Sequence, residues 1–185
     1  TSMSVGAPVT DATGVIRLSG VVANERLRSL DGTIAIDSLR IAGRPVSNLT
    51  AVVAKPADRE MLRVAKIEGR LADGSVAGQL DTMIAPTDAR FGLQMVLRNA
   101  RVPDLTGELE KPIDGRLTAS LAMEGDWKNP KANQGRGDVI VEGREMYRVP
   151  LLFGVMQIAN LSLPIEAPIH QAGMRYVIEG PKLTL

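Results

Sequence analysis

The sequence predicts an all-β protein with a mainly antiparallel, strongly curved sheet or open groove and one short apolar helix near the C-terminal end. Turn signals recur about every 10 to 15 residues, as in a meander of antiparallel strands. Between the turns, apolar and polar residues alternate with the period of a half-buried strand. Glycines inside these segments favour a bent sheet over a flat one.

The first part of the chain contains several of these alternating segments. Ile34 and Ile36 alternate with polar residues on the way to Leu39–Ile41, which predicts a strand between turns at Asp31-Gly32 and Gly43-Arg-Pro45. The preceding residues, 24–30, fit either a strand or a single helical turn, and we favour the strand. The next segment, 67–80, reads as a glycine-rich hairpin that turns at Asp73-Gly74.

Three later segments alternate most clearly, and each places one apolar face inward and one polar face outward. We take their inward residues as the lining of an apolar groove. Those candidates are Phe91, Leu93, Met95, Leu97, Leu117, Leu121, Met123, Val139 and Val141.

A helix is predicted at Val149–Asn160, where Pro150 suits the first turn because its missing N–H would be unpaired there anyway. Leu152, Val155 and Met156 follow helical spacing, but the segment is apolar nearly all round. Such a helix is buried on both sides or lies at a boundary with lipid, and about a dozen residues cannot span a bilayer. We expect it to pack at an end of the groove.

Composition excludes several classes of protein. At 185 residues with a formal net charge of +1, the chain is expected to be a single β-rich domain, residues 1–185, without the dense basic patch that nucleic acid requires. Two Phe, two Tyr and one Trp offer little for base stacking. The lack of cysteine excludes disulfides and thiolate metal sites. We expect no cofactor and no metal.

Catalytic candidates are few. His170 is the only histidine, and no cluster with metal-ligand spacing surrounds it. Four carboxylates lie close together in the chain, and the neighbouring Pro103 and Pro112 favour a polar connection between two strands over an acid–base pair: Asp104, Glu108, Glu110 and Asp114. Gly135-Arg-Gly137 lacks the third glycine of a dinucleotide-binding fingerprint. We therefore predict a non-enzymatic protein with no catalytic residues.

Three motifs give the chain a family resemblance over residues 30 to 185. They are the hairpin 67–80, the Gly-x-Leu alternation in Ile113-Asp-Gly-Arg-Leu that closes on Gly125, and the glycine-bounded strand 135–143 followed by Tyr147-Arg-Val-Pro-Leu-Leu152. In these motifs the chain resembles the C-terminal region of the AsmA-like family of bacterial envelope proteins. It departs from the family at Asp73-Gly74, where a Gly-Gly pair is common.

The resemblance implies a long β-structure with an apolar inner groove, held in the periplasm of a Gram-negative-type cell envelope and involved in phospholipid transport or outer-membrane biogenesis. The expected partner is a phospholipid or another acyl-chain lipid. The resemblance also implies that the chain is a fragment of a longer protein, anchored to the membrane through parts that are missing here.

The alternative is a purely structural β-domain with a closed core, which would act as a scaffold or protein-interaction module. The free volume beside the inward face distinguishes the groove from the closed core, because small residues on that face would leave room for a ligand. Gly78, Ala77, Ala119 and Gly92 are the informative positions, but a register slip of one residue would exchange the faces.

Overall fold

The computed structural model describes residues 9–85, 87–106, 114–143 and 170–185. It confirms the all-β prediction, because ten strands form one antiparallel sheet that does not close into a barrel. The strands lie in the sheet in the order in which they occur in the chain. Their bounds are β1 Val9–Ala23, β2 Arg26–Ile41, β3 Arg44–Lys55, β4 Met61–Leu71, β5 Gly74–Met83, β6 Arg90–Arg101, β7 Arg116–Asp126, β8 Gln134–Glu142, β9 Gln171–Glu179 and β10 Lys182–Thr184.

Two short helical elements accompany the strands in the described part of the chain. Helix α1, Val102–Thr106, follows β6, and a 3₁₀ turn, Pro130–Ala132, lies between β7 and β8. The predicted helix at Val149–Asn160, with Leu152, Val155 and Met156, falls outside the described residues. No helix that the structure describes is long and apolar enough to cross a bilayer.

Two-residue turns join β1 to β2, β2 to β3 and β4 to β5. The turn residues Asn24–Glu25, Ala42–Gly43 and Ala72–Asp73 all have positive φ, between 50° and 77°. Positive φ at both turn residues is the type I′ geometry, which matches the right-handed twist of the flanking strands. The residues from Arg26 to Leu30 are strand, as favoured, whereas the turn predicted at Asp31-Gly32 is wrong because both residues lie inside β2.

Bulges interrupt the alternation of several strands, and three of them lie in β3, β4 and β6. Asn48 in β3, Lys66 in β4 and Asn99 in β6 have φ of 52°, 50° and 57°, and the pairing register shifts at each of them. A bulge bends its strand and increases the local twist, because it opposes one extra residue to the partner strand. Each bulge also changes which later residues face the apolar side: beyond Lys66, that face passes from Val64 to Ile67.

The central feature of the sheet is a pair of neighbouring cross-strand rows with opposite character. One row runs across all ten strands and contains only apolar residues and glycine. We call it the apolar row: Leu18, Gly32, Val53, Val64, Leu80, Leu93, Met123, Gly135, Ile178 and Leu183. Side chains of adjacent residues point to opposite faces of a sheet. The face that carries the apolar row is the apolar face.

The row one residue away is mostly polar and charged. We call it the polar row: Ser19, Asp31, Ala54, Arg63, Asp81, Gly92, Glu124, Gln134, Glu179 and Lys182. It defines the polar face of the sheet. Because one sheet contains every described strand, no second sheet in the described part of the chain covers either face.

Candidate functional site

All nine groove candidates lie on the apolar face. Leu93 and Met123 belong to the apolar row, and the next pair toward the β4–β5 turn is Met95 opposite Leu121. Beyond them, Leu97 and Val139 both pair with Ala119. The remaining candidates extend the same face in both directions: Leu117 opposite Val141, and Phe91 opposite Gly125. The alternation read from the sequence therefore had the correct phase on β6, β7 and β8.

Burial of the apolar face differs between strands, and β1, where Leu18 is 53% exposed, is among the most open. On β3, Val46, Ala51 and Val53 are 4 to 6% exposed. On β6 to β8, eight of the nine candidates are half-buried, and only Phe91 is buried. The half-buried zone on β6 to β8 leaves apolar surface that a ligand or another part of the chain can still cover.

Four small residues were expected to distinguish an open groove from a closed core, and two of them lie on the apolar face. Gly78 and Ala119 are on that face, whereas Ala77 and Gly92 are on the polar face. The space beside Gly78 is not empty, however, because a Cβ added there would collide with the Met95 sulfur. The flexible thioether thus fills the gap that the glycine leaves, which is a common use of methionine.

Tyr176 of β9 fills a second gap in the same way. A Cβ added at Gly137 in β8 would collide with the Tyr176 hydroxyl and with the Ser120 carbonyl oxygen. The hydroxyl crosses over β8 and donates a 2.7 Å hydrogen bond to that carbonyl on β7. Burial, followed by the nearby negative charge of Asp138, raises the pKa of Tyr176, so it stays neutral and keeps its donor at physiological pH.

Lys55 closes the apolar face at the end of β3. It is 2% exposed, and its ammonium donates to the carbonyl oxygens of Arg28 at 2.8 Å, Pro56 at 3.3 Å and Arg59 at 2.6 Å. Three acceptors use the three donors of the ammonium, which offsets the cost of burying its charge. Lys55 was not among the residues predicted from the sequence, although it continues the alternation of Ala51 and Val53 on the apolar face.

The polar face is held by cross-strand ion pairs. Arg63 binds Asp81 through 2.7 Å and 3.0 Å hydrogen bonds, which raises the pKa of Arg63, and Arg175 lies 3.2 Å from Asp138. A shallow depression of about 560 Å³ lies mainly on this face. Its polar lining includes Gln79, Gln94, Glu124, Gln134 and Arg136. This face is suited to contact with water.

The residues considered as catalytic candidates do not come together in the described structure. His170 is exposed at the start of β9, and Asp104 on α1 lies 3.6 Å from Arg101 in an exposed ion pair. Asp114 is exposed, while Glu108 and Glu110 fall outside the described residues. Within the described ranges, no three His, Asp or Glu side chains form a group that could hold a metal ion.

Comparisons of the chain with protein-family models, with curated proteins and with solved structures find no match. The apolar face is therefore the feature of the molecule that bears most on function.

Proposed function

We propose that the protein is a non-enzymatic lipid-handling module of the cell envelope, in which the apolar face holds acyl chains. The apolar row carries this proposal. It crosses ten strands without a polar side chain, although the row one residue away is mostly polar and charged. Burying such a surface against hydrocarbon is favourable by roughly 25 cal/mol per Å² of apolar area.

The dimensions of the sheet fit an acyl chain that lies along the strands. Strand β6 has 12 residues and is roughly 40 Å long at about 3.3 Å per residue. One leaflet of a bilayer is roughly 15 Å thick, half of the hydrocarbon core of about 30 Å. The half-buried zone on β6 to β8 can thus accommodate an extended chain, with the headgroup in water at one end.

The proposed cellular setting is the periplasm, with a role in phospholipid transport between membranes or in outer-membrane biogenesis. Support for this setting comes from the glycine-bounded strands that resemble the AsmA-like family. All three motifs contribute to the apolar face: the hairpin 67–80 supplies parts of β4 and β5, the alternation after Ile113 supplies β7, and the glycine-bounded strand 135–143 supplies β8.

A direct trial uses photo-crosslinking from the apolar face. A photoreactive amino acid at Leu93 or Leu121 is expected to crosslink to labelled phospholipid. The matched controls are Gln94 and Ala122, the next residues on the same strands, which lie on the polar face. Crosslinking at Leu93 and Leu121 alone would support the proposal, and equal labelling at all four positions, or none, would contradict it.

Charge substitution gives an independent test. Leu93→Lys should abolish lipid binding, because a charge buried without a partner costs several kcal/mol. Gln94→Lys adds the same charge one residue away, on the polar face, and should leave binding unchanged. The measurement is mass spectrometry of lipids that copurify with each variant. Retention of the same lipid by Leu93→Lys would contradict the proposal.

The structural-module alternative has its own support in the filled positions beside Gly78 and Gly137. In that case the apolar face would be a dry core completed by other parts of the chain. The purified protein would then contain no lipid, and the substitution Leu93→Lys would lower the melting temperature without changing any ligand.

A further inference from the structure

Trp127, the only tryptophan of the chain, lies over one end of the apolar face. It follows the last residue of β7, and three interactions hold it in place. Its ring stacks on Phe91 with a centroid distance of 4.0 Å, and its indole N–H donates a 2.8 Å hydrogen bond to the Thr82 hydroxyl. Its backbone N–H donates to the Ala89 carbonyl at 3.1 Å.

These contacts place the indole on the apolar side of the sheet. Thr82 and Phe91 pair directly across β5 and β6, and Phe91 projects from the same face as Leu93. Phe91 is only 5% exposed, while the indole above it is 56% exposed. The tryptophan therefore ends the apolar face on these two strands, one cross-strand pair beyond the apolar row.

At the same end of the sheet, polar groups cover the apolar face on β3 and β7. On β7, a Cβ added at Gly125 would collide with the side-chain oxygen of Asn133, which accepts a 3.0 Å hydrogen bond from the Asp126 amide. On β3, the buried ammonium of Lys55 serves the same purpose. Trp127 thus covers the apolar face with an aromatic ring, whereas polar groups cover it on β3 and β7. All three lie at the end of the sheet that carries the β3–β4, β5–β6 and β7–β8 turns.

We propose that Trp127 is the end wall of the acyl-chain site and sets the longest chain that the apolar face accepts. This inference rests on the proposed function, and it adds a specificity-determining residue and an orientation. The terminal methyl of the chain points toward Trp127, and the headgroup lies at the far end of the strands.

An end wall predicts a break in the dependence of affinity on chain length. Each buried methylene contributes about 0.8 kcal/mol, which corresponds to about a fourfold decrease in Kd. The gain stops where the chain reaches the indole, because further methylenes must stay in water or bend. In Trp127→Ala the fourfold gain per methylene should continue for several more methylenes before it stops.

The experiment measures Kd for single-chain phosphocholine lipids of increasing length, below their micelle concentrations, with wild type, Trp127→Ala and Trp127→Phe. Trp127→Phe retains a ring over Phe91 and should keep the wild-type break. Thermal melts without lipid separate lost stability from altered length preference, since a folded variant reports its own break. The same break in wild type and in Trp127→Ala would overturn the inference while leaving the proposed function standing.

Tryptophan fluorescence tests the orientation with the unmodified protein. Lipids brominated near the terminal methyl should quench Trp127 strongly, and lipids brominated near the headgroup should quench it weakly. The reverse order would overturn the inference, because it would place Trp127 beside the headgroup. If no chain length bound to any of the proteins, the proposed function itself would fail, and the end wall with it.

Discussion

At the scale of single residues, Lys55 is the one buried charged side chain among the described residues. We expect Lys55→Met to lower the free energy of unfolding by about 1–3 kcal/mol, since it leaves the Arg28 and Arg59 carbonyls without this donor. Methionine keeps most of the aliphatic volume, so packing changes little. Urea unfolding would measure the loss, with exposed Lys182→Met as the control. Equal stability of the two variants would show that the three hydrogen bonds contribute little.

A second residue-scale prediction concerns Asp88. Hydrogen bonds from the Arg90 guanidinium at 2.6 Å and 2.9 Å, with a further bond from the Arg90 amide, lower the pKa of Asp88 from 3.8 to about 2. The folded pKa lies below the unfolded value, so the stability from this pair is present above pH 3.8 and is lost as the pH falls through about 2.

Carboxyl-carbon NMR would follow the Asp88 titration directly. In Arg90→Gln the pKa of Asp88 should rise toward its ordinary value, because the charged donor is gone and a weaker amide donor replaces it. An unchanged titration midpoint in this variant would show that Arg90 is not the cause of the lowered pKa.

At the scale of the strands, the sequence predicted the phase of a strand wherever no bulge intervened. Phe91 to Leu97 and Leu117 to Met123 alternate without interruption, and the residues that were predicted to share a face lie on one face of the sheet. The bulge at Lys66 was not predicted, since a bulge depends on the register of the partner strand. The same limit applies to Asp31-Gly32. This dipeptide is frequent in turns, but here both residues are paired with β1 and with β3 and so lie inside β2.

The close contact at Gly137 leads to a prediction about β8. Gly137→Ala should destabilise the protein by about 1–3 kcal/mol, because the new methyl group must displace Tyr176 or the Ser120 carbonyl. Gly173→Ala on neighbouring β9 is the matched control, since its added Cβ meets atoms no closer than 3.9 Å. Thermal unfolding would compare the two, and equal melting temperatures would mean that β8 relaxes without cost.

At the scale of the whole molecule, the apolar row could be predicted only in part. Leu93 and Met123 were identified from alternation, but their alignment with Leu18 and Ile178 follows from a register that turns and bulges determine together. Trp127 was not identified at all. It lies in a turn and reaches the apolar face by stacking across strands, and alternation along one strand carries no signal for such a contact.

The open edge of the sheet gives the last prediction. Strand β1 has 15 residues without proline, no described strand pairs with its outer side, and Ile16, Leu18 and Val21 are more than half exposed. An unprotected edge of this kind offers unpaired backbone groups to another chain. We therefore expect the protein to self-associate as its concentration rises, through pairing along β1.

Charges on this edge should weaken the association. The double substitution of Val15 and Val21 by lysine places two charges on the polar face of β1 and leaves Leu18 in the apolar row unchanged. Lysines on an edge oppose strand addition, so sedimentation velocity should show a shift toward monomer. The double substitution of Thr50 and Val52 by lysine, on the polar face of interior strand β3, is the control for two added charges. If it dispersed the protein equally well, general repulsion between molecules, and not the β1 edge, would govern the association.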